Sequence, residues 1–120
     1  MILFIILSII LGYLIGSLPT ALILGKMTHG IDIREHGSKN LGASNAMILM
    51  GWKAGVFVAL HDVVKAIIAI VLARVFFENV AYASEIAGVS CVIGHIFPFY
   101  LIRKNHLLYH LYFLLYLATE

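Results

Sequence analysis

The chain has 120 residues, 62% of them hydrophobic and 12% charged, with a formal net charge of +2; its mean hydropathy is +1.03. That balance leaves too little polar surface to cover a soluble fold, so most side chains must meet lipid or each other. The few basic residues form no phosphate-tracking stripe, which argues against nucleic acid, and the lone Cys91 rules out an intrachain disulfide or a cysteine-built zinc site.

The length suits one membrane domain over 1–120. The first apolar segment covers about residues 1–25, with no charge before Lys26, and is long enough to span a bilayer. A cleaved signal peptide is disfavoured, because there is no basic n-region and the apolar run outlasts an h-region. Pro19, with Gly12, Gly16 and Gly25, predicts a helix that kinks or packs closely.

Residues 26–53 follow as a polar loop that contains HGSKNLGASNAM at 36–47. Gly37, Gly42 and Gly51 permit tight turns and positive φ, which lets backbone N–H groups converge on an anion. Ser38, Asn40, Ser44 and Asn45 add uncharged donors and Lys39 a positive charge. From pattern alone the stretch is either a phosphate or polyol cradle or a connecting loop rich in turn formers.

The second apolar segment, about 54–73, carries His61, Asp62 and Lys65. Asp62 and Lys65 share a helix face and are expected to pair; a structural ion pair is favoured over a proton relay, which would need a third polar partner. The third segment, about 80–102, holds Glu85 near its start and His95 and Pro98 near its end, in GHIFPFY. His95 is either an interfacial hydrogen-bonding residue or, beside a phosphate, a donor or proton shuttle. His29, His36, His106 and His110 lack the spacing of a metal site, so neither metal nor cofactor is expected.

The last apolar run, Leu107 to Ala118, is too short to cross a bilayer. It is expected to lie at the interface, with Tyr109, Tyr112 and Tyr116 at headgroup level. Lysine and arginine placement puts loop 26–53 and residues 103–106 in the cytoplasm and the N-terminus outside. The expected fold class is therefore an all-α integral membrane protein, with about three transmembrane helices and a short C-terminal apolar segment.

GIDIREHGSKNLGASNAM, then GWKAG, HDVVK and GHIFPFY, resemble the bacterial acyl-phosphate:glycerol-3-phosphate acyltransferases of the PlsY type from about Leu11 to Tyr100. GSKNLGASNAMILMG fits the family pattern GSGNxGATNxxRxxG without a gap. The resemblance implies a cytoplasm-facing site in the bacterial inner membrane that moves an acyl group from acyl phosphate to the 1-hydroxyl of glycerol 3-phosphate, without metal or cofactor. It implies catalytic roles for Ser38, Asn40 and His95 and substrate contacts from Ser38, Lys39, Asn40 and Asn45. Gly37, Gly42, Asp62 and Lys65 are expected in support; membrane lipid is the surrounding partner, and oligomeric state is not indicated.

Two departures from the pattern stand out. Ile48 occupies the place of a family arginine, with Lys39, in place of a family glycine, as the nearby cation. After FPFY the family continues into a phosphate-binding FKGGKG loop, whereas this chain continues as LIRKNHLLYHLYFLLYLATE. The atypical tail, 101–120, reads as a frame-shifted and truncated end, with a short paralogue as the alternative, and the chain alone is expected to be impaired. A non-enzymatic membrane protein that packs with a partner helix bundle or binds anionic lipid is the competing function.

Overall fold

The computed structural model describes residues 1–101, and these form helices without a strand. In order they are α1 (Ile2–Gly16), α2 (Thr20–His29), α3 (Ala43–Met50), α4 (Trp52–Phe76) and α5 (Ala83–Ile96), followed by a 3₁₀ turn at Phe99–Leu101. The interfacial run Leu107 to Ala118 lies outside the described residues.

The first apolar segment is not one helix. It breaks at Ser17–Pro19 and resumes as α2. Pro19 has no N–H to give to the preceding turn and disfavours helical geometry at Leu18, so the ladder stops there. Around α1 the apolar side chains Ile2, Leu3, Phe4, Ile6, Ile9, Ile10 and Leu14 are exposed, while Ser8, Gly12 and Gly16 are buried. A helix that is apolar outside and small-residued inside has the pattern of a membrane helix packed on a neighbour.

That neighbour is α5. A Cβ on Gly12 would run into the backbone of Ala87, one on Gly16 into that of Cys91, and one on Gly94 into the carbonyl of Tyr13. The two backbones therefore approach to a separation that only glycine permits. Hydrogen bonds tie the same seam, from the Tyr13 hydroxyl to the Phe97 carbonyl (2.9 Å) and from the Ser17 hydroxyl to the Gly94 carbonyl (3.3 Å). Cys91, 1% exposed, fills this seam as a small hydrophobe.

Helix α4 has 25 residues, about 37 Å at helical rise, ample for a bilayer core. Its outward face carries Val56, Phe57, Leu60, Val63, Val64, Ile67, Ile68 and Val71, all exposed, as lipid contact requires. Helix α5 is shorter than the 80–102 expected, at 14 residues. Residues 77–82 form turns, closed by Tyr82 in the left-handed region (φ 63°), and Phe97–Pro98 end the helix on the other side. The loop 26–53 contains a helix that its glycines and asparagines had hidden: α3 runs up to Gly51, whose φ of 91° turns the chain directly into α4. Ala21, Ile33, Ala46 and Val58 form the small core that fixes this loop to α2, α3 and α4.

Candidate active site

The motif loop is organised around Asn45, which is fully buried. Its Nδ2 donates to the carbonyls of Ile33 (2.9 Å), His36 (3.2 Å) and Asn40 (2.9 Å). Its Oδ1 accepts from the Ser38 N–H at 3.0 Å. One amide thus closes the turn from both sides and satisfies groups that a buried loop would otherwise strand. Gly37 is glycine for two reasons: its φ is 59°, and a Cβ there would strike Asn45 Oδ1.

Asn45, expected as a substrate contact, has no exposed surface and commits both amide ends to backbone, which makes it the clasp of the loop. Gly42 also departs from expectation, since its φ of −97° and ψ of 174° are extended. Besides Gly37, the left-handed residue of the HGSKNLGASNAM stretch is Lys39, with φ of 61°. That conformation explains why the family pattern has glycine at this place.

What the clasp presents is a short polar edge. Ser38, Lys39 and Asn40 are exposed. Among the described residues the Ser38 hydroxyl, the Lys39 ammonium and the Asn40 side-chain amide form no hydrogen bond or ion pair within the chain. The edge leads into α3, whose first turn has no side-chain cap, so its N–H groups remain available to an anion. Ile48, on the same helix, is 69% exposed and apolar. It offers nothing to a phosphate.

Asp32 and Arg34 brace the approach to this loop, a pair that the D-x-R spacing could have signalled. Arg34 Nε and Nη2 donate to the two Asp32 carboxylate oxygens at 2.9 and 2.6 Å, and Lys26 stands 4.0 Å away. The Arg34 guanidinium holds the Asp32 carboxyl at about 2. A bidentate fork of this kind is geometrically specific as well as charge-assisted.

A second polar cluster lies where α4, α5 and the α1–α2 break meet. Lys65, 3% exposed, pairs with Asp62 at 2.7 Å. The pair expected from their spacing is there, but it is not isolated. His95 Nδ1 lies 3.2 Å from Lys65 Nζ, and the Leu18 carbonyl 3.3 Å from it. The partners that sequence reasoning found missing come from other elements, and only the proline in an apolar run hinted at Leu18. Nearby, His61 Nδ1 meets the Thr20 hydroxyl at 2.8 Å, which ties α4 to the first turn of α2.

The two clusters are separate in their hydrogen bonding. Among the described residues no hydrogen bond or ion pair joins His95 to residues 36–45.

Residues 6–105 match the family model described as glycerol-3-phosphate acyltransferase. The chain belongs to the glycerol-3-phosphate acyltransferase family. It is 51% identical over 94 residues to the glycerol-3-phosphate acyltransferase of Bacillus subtilis, an alignment that takes in 78% of this chain and 48% of that protein. The Chlorobaculum tepidum glycerol-3-phosphate acyltransferase is 48% identical over 99 residues, covering 74% of this chain and 43% of its own length. Among solved structures, the glycerol 3-phosphate form of PlsY, an integral membrane glycerol 3-phosphate acyltransferase, superposes with a TM-score of 0.67 at 31% identity. That match covers 80% of this chain and 48% of the PlsY chain.

Membership of this family carries the all-α membrane architecture with it. The chain spans about half the length of the relatives it matches. The family match runs to residue 105, a few residues past Tyr100, where the motif resemblance stops.

Proposed function

We propose that the chain supplies one side of the site at which an acyltransferase moves an acyl group from acyl phosphate to the 1-hydroxyl of glycerol 3-phosphate, releasing inorganic phosphate and a 1-acylglycerol 3-phosphate. The observation that carries this reading is the unspent polar edge Ser38–Lys39–Asn40, held rigid by Asn45 and continuous with the uncapped start of α3. Such an edge suits a phosphate and a polyol together: N–H groups and an ammonium for the anion, a hydroxyl and an amide for the glycerol oxygens.

Acyl phosphate is an activated donor, so a site that holds the nucleophile near the acyl carbon and stabilises the oxyanion accounts for most of what catalysis requires. His95, in the second cluster, is the proposed further contributor to this site. The loop faces the cytoplasm of a bacterial cell, by the distribution of Lys26, Arg34, Lys39 and Lys53 around it. Glycerol 3-phosphate binding and turnover are expected to be stronger in the chain paired with the C-terminal half of a relative than in the chain by itself.

The test uses the purified chain in lipid nanodiscs, with acyl phosphate and glycerol 3-phosphate, and follows phosphate release and product formation. The same assay is run with the chain co-expressed with the C-terminal half of a relative. Activity restored by that half and abolished by Ser38→Ala supports the reading. Absence of both binding and activity in the complemented protein refutes it, and the competing reading, a non-enzymatic helix-packing or lipid-binding protein, then takes its place.

A further inference from the structure

Lys65 sits on a membrane-spanning helix and yet is almost fully enclosed. An ammonium carries three N–H donors and no acceptor. Three acceptors from three different elements meet it: Asp62 Oδ1 at 2.7 Å, His95 Nδ1 at 3.2 Å and the Leu18 carbonyl at 3.3 Å. Pairing with Asp62 keeps the nitrogen an ammonium, so the contact with His95 runs one way. Lys65 donates and Nδ1 accepts. Asp62 lies 3.7 Å from the same ring nitrogen, too far for a direct hydrogen bond to it. A neutral imidazole whose Nδ1 accepts must carry its hydrogen on Nε2.

We infer that Lys65 is a positioning residue that holds His95 as the neutral Nε2–H tautomer, so that His95 meets a phosphate or an oxyanion as a hydrogen-bond donor and takes no proton from the substrate hydroxyl. The other groups packed around this corner have different partners. His61 of α4 turns to Thr20, the Tyr13 hydroxyl of α1 donates to the Phe97 carbonyl, and Cys91 of α5 is buried in the α1 seam. Lys65 and Asp62 are thus the charged groups that face Nδ1 among the described residues. Because the same ammonium binds the Leu18 carbonyl, it also sets the distance between the ring and the α1–α2 break.

The consequence for catalysis rests on the acyl-transfer reading, but the tautomer itself does not. It is read by nitrogen NMR of the ring-labelled chain in nanodiscs at about pH 8, above the ordinary histidine range, with His95 assigned by His95→Gln. The Nε2–H form is expected to exceed the Nδ1–H form by about tenfold or more, the weight of one charge-assisted hydrogen bond. In Lys65→Met that ratio is expected to fall by about tenfold. An Nδ1–H ring in the parent chain overturns the inference, and so does an unchanged ratio in a folded Lys65→Met. The His61 signal, set by Thr20, reports whether the variant keeps its α2–α4 contact; where it does not, the parent tautomer decides alone. The expected tautomer in a complemented protein that transfers no acyl group would sink the acyl-transfer reading and leave the role of Lys65 standing.

Discussion

Replacing Asn45 with alanine tests whether the loop is held by one side chain. The amide has two N–H groups shared among three carbonyls and one oxygen that accepts from Ser38, so it is worth about three net hydrogen bonds, or roughly 3 kcal/mol. Water can rehydrate His36 and Asn40, which are exposed, but not the buried Ile33; the Ile33 carbonyl alone then loses about 1–3 kcal/mol. Alanine returns about 0.5 kcal/mol through its better helix propensity in α3. The net cost of keeping the loop closed is therefore about 2–3 kcal/mol, which raises its open population by roughly a hundredfold. Amide hydrogen exchange at Ser38, measured in detergent or nanodiscs, reads this directly. Ser38→Asn is unsuitable as a control, because a new amide invites new bonds. Ser38→Ala removes an exposed hydroxyl and is expected to leave loop protection within about threefold of the parent. If Asn45→Ala also stays within that margin, the loop is not clasped by Asn45, and of the two reasons for Gly37 only its positive φ remains.

Lys39→Gly is expected to relieve the left-handed backbone and raise loop stability by about 1 kcal/mol, seen as slower exchange at residues 36–40. It should at the same time weaken glycerol 3-phosphate binding by about tenfold if Lys39 replaces the arginine lost at Ile48; Lys39→Ala with unaltered affinity would remove that role. Gly16→Leu drives a side chain into the Cys91 backbone and is expected to cost about 3 kcal/mol, visible as loss of the folded species in detergent. Acid should loosen the loop entrance. Asp32 drops from 3.8 to about 2 on folding, so its contribution is complete above about pH 4 and disappears as pH falls toward 2. Full linkage is about 2 kcal/mol, and solvent screening near the surface trims it to about 1 kcal/mol. Exchange rates at residues 32–36 that do not change over that window would show that the pair contributes nothing.

The sequence disclosed those features that one segment determines by itself. Apolar runs of bilayer length, the glycine-punctuated loop and the three-residue spacing of Asp62 and Lys65 each carry their meaning locally. The break after Gly16 was half legible: Pro19 signalled a disturbance, but whether a helix kinks or stops depends on what receives the freed carbonyls. Here Lys65 receives one of them from another helix. Helix α3 was illegible because Ser44 and Asn45 read as turn formers, and only the burial of Asn45 reveals that it closes the loop from within the helix. Chemical type identified Asn45 as important but could not separate a ligand contact from a clasp. Both uses call for the same amide.

The same distinction orders the whole site. Asn45 and Lys65 are buried polar residues whose donors are all consumed inside the chain, and each organises a neighbour that is left free: Ser38 and Asn40 in one case, the outer nitrogen of His95 in the other. Burial of such groups is costly unless every donor is met, so a chain that retains them spends stability on geometry rather than on packing. That pattern makes sense if the free groups must hold fixed positions before substrate arrives. The two organised edges are held by different means, the loop through Ile33 and the core of α2–α4, His95 through Lys65 and the α1–α2 break. A substrate spanning both would link elements that the described residues connect through no direct hydrogen bond, and its binding energy would then serve to bring the acyl acceptor and the oxyanion donor together.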